Sequence, residues 1–176
     1  MKFLWPDWYF ENFSHIPEGF FKKNGIKTLI CDIDNTLVTY DDPVPTPDAL
    51  SFFKRLEKEH VSLLLVSNNS ARRVNTFIEG TPFPAISKAS KPLKGKIVRK
   101  MEELHLPKTH CAVMGDQLLT DALAAKNLKV PVILLNPIKS DKGKPFFKLK
   151  RAIERIILKG YLKKHPLNDE KGRGSR

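Results

Sequence analysis

Leu29-Ile30-Cys31-Asp32-Ile33-Asp34-Asn35-Thr36-Leu37 is a short apolar run that ends in two carboxylates one residue apart and a polar Asn-Thr pair. An apolar run of this length between polar turn residues reads as a buried strand. The C-terminal ends of such strands are where open α/β sheets hold ligands. Strand alternation sends Asp32 and Asp34 to one side and Ile33 to the other. Two carboxylates so close repel each other, and burying them bare costs several kcal/mol. A hard cation such as Mg²⁺, which takes oxygen ligands, relieves that repulsion. An isolated pair of this kind is more often a surface turn with two solvated acids. Three further clusters outweigh that reading.

Outward from this strand, which spans about 27–33, apolar strands alternate with helices. Thr46-Pro47-Asp48 supplies an N-cap, a proline at the first helical position and an early acid, and Leu50, Phe53 and Leu56 recur at helical spacing. A second strand over 61–66 ends in Ser67-Asn68-Asn69, and Ser70 caps a helix that stops at Gly80. There follow a short strand around Ala85-Ile86, a basic loop over 87–92, a helix over 93–104 and a strand over 111–114 that ends in Gly115-Asp116. A helix from about Gln117 and a strand over 130–135 complete the series. This alternation predicts an α/β fold, a three-layer doubly wound parallel sheet. Residues 1–24, with five aromatics between Phe3 and Phe10, form an N-terminal arm packed on or beside the core; a membrane interface is the other use of such residues. Residues 25–164 form the domain, and 165–176 a basic tail expected to be disordered.

A chain of 176 residues with 41% hydrophobic and 28% charged residues supports one soluble domain with a sizeable core. Cys31 and Cys111 both sit in apolar runs and read as small buried hydrophobes rather than a disulfide. The N-terminus lacks the apolar core of a signal peptide, and no run approaches the roughly 18 residues of a membrane span. The expected location is therefore cytoplasmic, with peripheral attachment to the inner face of a membrane as an extension. Net charge is +12, and residues 138–176 hold 13 Lys and Arg against 4 Asp and Glu, so nine of the twelve excess charges lie there. That points to an anionic partner surface, membrane or nucleic acid. The last helix, over 145–162, carries Phe146, Leu149, Ile153 and Ile156 on one side. Lys144, Lys148, Arg151, Arg155 and Lys159 follow another, so the helix is basic and amphipathic. The five histidines never pair at metal-ligand spacing, which argues against zinc, and there is no glycine-rich phosphate loop.

In a doubly wound sheet the strand ends fall along one edge. The first delivers Asp32 and Asp34, the second Ser67 with Asn68, the loop after the short strand Lys91, and the fourth Asp116 with Asp121 five residues on. Hydrolysis of a phosphate monoester needs a nucleophile, a proton for the leaving oxygen and positive charge on the transferring phosphoryl group. A carboxylate can attack phosphorus, a second carboxyl can serve as acid and then base, and a lysine, a hydroxyl and Mg²⁺ can hold the non-bridging oxygens.

Asp32-Ile33-Asp34-Asn35-Thr36, Ser67, Lys91-Pro92 and Gly115-Asp116-Gln117-Leu118-Leu119-Thr120-Asp121 resemble, in order, the four motifs of the haloacid dehalogenase (HAD) superfamily phosphatases. More narrowly, the sequence is similar to the YqeG family of subfamily IIIA over roughly residues 8–160; relatives of that family include phosphatidylglycerophosphate phosphatases. The resemblance implies a HAD-like Rossmannoid fold with Asp32 as the nucleophile that forms an aspartyl-phosphate. Asp34 is then the general acid and base, and Lys91 a catalytic cation. Ser67, Asn68 and Lys91 would bind the phosphoryl group. Asp32, Asp116 and the backbone carbonyl of Asp34 would hold Mg²⁺, supported from behind by Asp121 and Thr36. The intervals 36–67 and 67–91 are too short for an inserted cap domain, so the site should stay open, as suits a phosphate on a large or surface-bound substrate. The expected function is an Mg²⁺-dependent phosphomonoesterase converting phosphatidylglycerophosphate to phosphatidylglycerol at the membrane surface. The alternatives are another phosphorylated metabolite or macromolecule, or a basic RNA- or ribosome-associated module with a regulatory site. A phospho-acceptor receiver domain would not need the second aspartate of the pair.

Overall fold

The computed structural model describes residues 2–139, 145–165 and 173–174. Period-two alternation in the strands builds two cores, one on each face of a single sheet. In β2 (Thr28–Cys31), β3 (Ser62–Val66), β5 (Cys111–Gly115) and β6 (Val132–Leu135), the side chains of Leu29, Leu63, Leu65, Ala112, Met114 and Ile133 enter one core. Ile30, Leu64, Val66, Val113, Val132 and Leu134 enter the other. The first core is closed by α1 (Phe20–Lys23), α2 (Pro47–Lys58) and α3 (Ala71–Ile78). The second is closed by α4 (Gly95–Glu103), a π-helical turn (Leu118–Ala122) that runs into α5 (Leu123–Leu128), and α6 (Pro145–Lys164). These are the three layers that the alternation predicts.

β4 (Ala85–Ile86) pairs with β3, and the central order β3-β2-β5-β6 is parallel throughout. Thr46 caps α2 by accepting the Ala49 N–H at 3.3 Å, and Ser70 caps α3 by accepting the Arg73 N–H at 3.3 Å. Phe53 and Leu56 are buried as their spacing suggests, with Ala49 and Phe52 beside them, whereas Leu50 faces solvent. Cys31 and Cys111 are free and buried.

The N-terminal arm does more than lie on the core. Trp8, Tyr9 and Phe10 form β1 (Trp8–Phe10), a further parallel strand beside β6. The Asp7 side chain extends the pairing by accepting the Val132 N–H at 2.9 Å. Alternation sends Trp8 and Phe10 into the first core, both edge-on to Phe20 at 5.3 Å, and Tyr9 into the second. Of the tail, only Arg173–Gly174 lies within the described residues after 165. Here the structure differs from the expectation of a tail without order, because these two residues pair antiparallel with β1 as β7 (Arg173–Gly174), meeting the outward backbone groups of an edge strand.

The phase of α6 also differs from its apolar spacing. Glu154, Ile157 and Tyr161 are buried, while Ile153 and Ile156 are 43% and 65% exposed. Trp5 and Tyr9 set edge-on to Tyr161, at 5.8 and 6.5 Å, decide which side turns inward. Lys144, and the side chains of Phe146, Lys148, Leu149 and Arg151, lie outside the described residues. No helix among the described residues is long and apolar enough to cross a membrane.

If the arm is part of the sheet, Phe10→Ala should lower unfolding stability by about 3–5 kcal/mol, as for a truncated core phenylalanine. Urea unfolding measures this. A loss below about 1 kcal/mol would mean that the arm packs only loosely.

Candidate active site

Beyond β2 the ladder runs one bond further, with the Asp32 N–H donating to Met114 O at 2.9 Å. The chain then reverses. Asn35 takes a left-handed conformation (φ 64°), which asparagine tolerates better than most residues, and its N–H donates to Val38 O at 2.7 Å. The reversal brings the Thr36 hydroxyl back onto Asp32 Oδ2, to which it donates at 3.1 Å.

Asp32, Asp116 and Asp121 come together, each offering a carboxylate oxygen within 4.8 Å of the others, and all three are buried. Asp121, expected to support the metal from behind, brings its carboxylate into the same cluster. Its Oδ2 accepts the Gln117 N–H at 3.1 Å, and it fits only because Gly115 has no side chain: a Cβ there would sit 2.3 Å from the Asp121 Cγ. Lys91 Nζ donates to Asp32 Oδ1, lies 2.7 Å from Asp121 Oδ1 and donates to Val66 O at 3.0 Å. Burial pushes the Asp32 carboxyl up to about 8; Lys91 offsets part of this, and Asp121 and Asp116 add to it. Burial disfavours the Lys91 charge as well, but Asp121 and Asp32 more than compensate and hold it above the ordinary lysine range. An oxygen-only, all-carboxylate donor set that converges in this way fits a hard divalent cation, which Asp32, Asp116 and Asp121 would hold.

Asp34 also lines the cavity, but its carboxylate lies outside that group. Ser67 Oγ donates to its Oδ2 at 3.1 Å, and Arg73 Nε donates to its Oδ1 at 3.1 Å. Arg73 also donates to Pro43 O and Thr39 O, at 3.0 and 3.3 Å, which ties the loop between β2 and α2 to the same carboxylate. Asn68, expected to bind phosphate, turns its amide to the Lys91 backbone, donating to the carbonyl at 3.0 Å and accepting the N–H at 2.7 Å. It fixes where Lys91 points.

These groups line a cavity of about 360 Å³ that also meets Tyr40, Gln117, Thr120 and Lys150. Sequence reasoning missed Arg73 and Lys150. Arg73 had a weak signal, one turn inside a capped helix that follows a strand end, but nothing separates it from its exposed neighbour Arg72. Lys150 sits in a helix full of lysines.

Three outcomes follow from the acid cluster. Gly115→Ala should push Asp121 aside and weaken Mg²⁺ binding at least about tenfold, measured by calorimetric titration; an unchanged affinity would remove Asp121 from the metal site. A cation must also displace the proton that Asp32 carries below about pH 8, so Mg²⁺ affinity should rise about tenfold per pH unit from 6 to 8. By the same sign, the metal-free fold holds a proton that the unfolded chain releases above about pH 4, so its stability should fall as pH rises through that window. Thermal melts at pH 6 and 8, with and without Mg²⁺, read both effects.

Comparison with known proteins agrees with this geometry. The family described as HAD-hydrolase-like matches residues 88–141, which include Lys91, Asp116 and Asp121. The family described as mitochondrial PGP phosphatase matches residues 1–78, which include Asp32, Asp34, Ser67 and Arg73. Two solved structures share the fold. An uncharacterized protein from Listeria monocytogenes serotype 4b has a TM-score of 0.52 at 18% identity, covering 77% of this chain and 99% of that one. A hypothetical protein from Xanthomonas campestris has a TM-score of 0.53 at 16% identity, covering 78% and 77%. The probable phosphatase YqeG of Bacillus subtilis (strain 168) is 37% identical over 163 residues, 93% of this chain and 94% of its own length. At that identity over nearly the whole length of both, the chain belongs to the YqeG family of HAD-superfamily phosphatases.

Proposed function

We propose that this phosphoric monoester hydrolase is Mg²⁺-dependent, works through an aspartyl-phosphate on Asp32, and dephosphorylates phosphatidylglycerophosphate at an anionic membrane surface. The observation that carries the chemistry is the buried Asp32 carboxylate held between the Lys91 ammonium and the Thr36 hydroxyl, with Asp34 beside it on Ser67.

Asp32 attacks phosphorus, and the bond to the leaving oxygen breaks as that oxygen takes a proton from Asp34. Arg73 pairs with the carboxylate that this transfer leaves behind. Asp34 next takes a proton from a water that attacks the phosphorus of the aspartyl-phosphate, which releases inorganic phosphate, frees the Asp32 carboxylate and returns Asp34 to its protonated form. Ser67 is shared between Asp34 and the Asn69 N–H, so it orients the acid and presents its oxygen to the cavity. Lys91, its backbone fixed by Asn68, balances charge on the transferring group. Mg²⁺ bound to Asp32, Asp116 and Asp121 would supply the remaining positive charge for the phosphoryl oxygens.

The lipid is supported by the match to PGP phosphatases over the segment that carries Asp32, Asp34 and Ser67. The outer side of α6 supports the surface. Ile153 and Ile156 are exposed among the exposed Arg155, Lys159 and Lys163, a cation-flanked apolar strip suited to anionic headgroups.

Phosphate release from phosphatidylglycerophosphate in mixed micelles with Mg²⁺ tests this reading. Wild type should turn over at roughly 1 s⁻¹ or faster. Asp32→Asn should lose at least about a thousandfold, and EDTA should abolish release until Mg²⁺ is restored. Asp32-dependent release from p-nitrophenyl phosphate with none from the lipid would keep the mechanism and discard the substrate.

A further inference from the structure

Lys91 and Lys150 line the cavity and Arg73 reaches Asp34 on its wall, and two of these three cations are already matched. Lys91 lies between Asp32 and Asp121, and Arg73 pairs with Asp34. Lys150, half-buried on α6, donates instead to the uncharged Oε1 of Gln117, and within the described residues it touches none of the four carboxylates. Its position is set on both sides. Gln117 Oε1 also accepts the Thr120 hydroxyl at 3.1 Å, which fixes the acceptor. One turn along α6, the buried Glu154 accepts the Leu119 N–H at 3.0 Å, and Ile157 and Tyr161 sink on the same side. A lysine held at a cavity wall by a fixed helix, with only a neutral acceptor, leaves its charge for an anion that enters.

The transferring phosphoryl group is already provided for at the strand ends by Lys91, Ser67 and the acid-bound cation. Lys150 comes from the helical side, through Gln117 and Thr120, where the rest of the substrate must lie. We propose that Lys150 is a specificity-determining residue: it binds a second phosphate carried by the leaving alcohol and so selects phosphomonoesters bearing one over esters of neutral alcohols. This rests on the phosphatase reading above, which does not itself use Lys150.

The experiment compares two soluble substrates, so that membrane binding plays no part. Glycerophosphoglycerol phosphate carries a phosphodiester in its leaving alcohol; p-nitrophenyl phosphate has an uncharged leaving group. Lys150→Ala should lose about 10- to 100-fold in kcat/KM on the first, the usual worth of one charged hydrogen bond, mostly as a higher KM. On the second it should stay within about twofold of wild type. Lys150→Arg should retain most of the activity on the first. Equal losses on both substrates, or no loss on the first, would overturn the assignment. So would a wild type that cleaves the aryl ester through Asp32 but shows no preference for the phosphodiester-bearing ester, and the phosphatase reading would then stand. Silence of wild type on both with Mg²⁺ would sink that reading and this one with it.

Discussion

Asp32, Asp116 and Asp121 are buried with oxygens within 4.8 Å of one another, and burial, with Asp121 and Asp116 beside it, raises the cost of ionising Asp32. Lys91 is placed among them, and much of the surrounding chain serves to keep it there. Asn68 grips its backbone from the end of β3, Val66 O takes one of its protons, and Thr36 turns Asp32 toward it. Such a cluster does not stabilise a fold, since an apolar replacement of equal volume generally does as well or better. The two apolar cores on either side of the sheet offset what the cluster costs, and a divalent cation held by these acids would bring the positive charge that a phosphoryl group needs.

The strand ends were legible because two independent regularities meet there. Period-two apolar runs locate the strands, and the acids, serine and lysine fall just past them in a fixed order. Asp121 was legible as a participant, but how its carboxylate reaches the cluster was not. The vacant Cβ position of Gly115 lets its carboxylate fold back onto the sheet, and that becomes visible only when residues 115 and 121 are seen across the π-helical turn. Arg73 was hidden by Arg72: both follow Ser70 on one helix, and only the position of Asp34 separates a paired guanidinium from a solvated one.

Elements at the chain ends were harder to read. Trp8-Tyr9-Phe10 is three residues long, and its partner β6 lies more than 120 residues away, so no local pattern shows that the arm extends the sheet. In α6, Ile153, Ile156, Ile157, Leu158, Tyr161 and Leu162 spread around the helix and leave its phase undetermined. Aromatic contacts at Tyr161 and the hydrogen bond at Glu154 determine it instead.

That phase makes α6 part of the site rather than a neighbour of it. The turn that carries Asp121 has backbone N–H groups at its start with no helical partner, as every helix start does. Glu154 takes the one on Leu119, where a negative charge also suits the positive end of the following helix. Asp121 itself takes the one on Gln117, and the Gln117 side chain is held in turn by Thr120 and Lys150. The turn that carries Asp121 is therefore held at Leu119 by a helix that begins more than twenty residues later in the chain. With no room between 36 and 91 for an inserted domain, the cavity borders Tyr40 on one loop and Lys150 on that helix. The helix that steadies the turn carrying Asp121 is thus the same one that places Lys150 at the cavity wall.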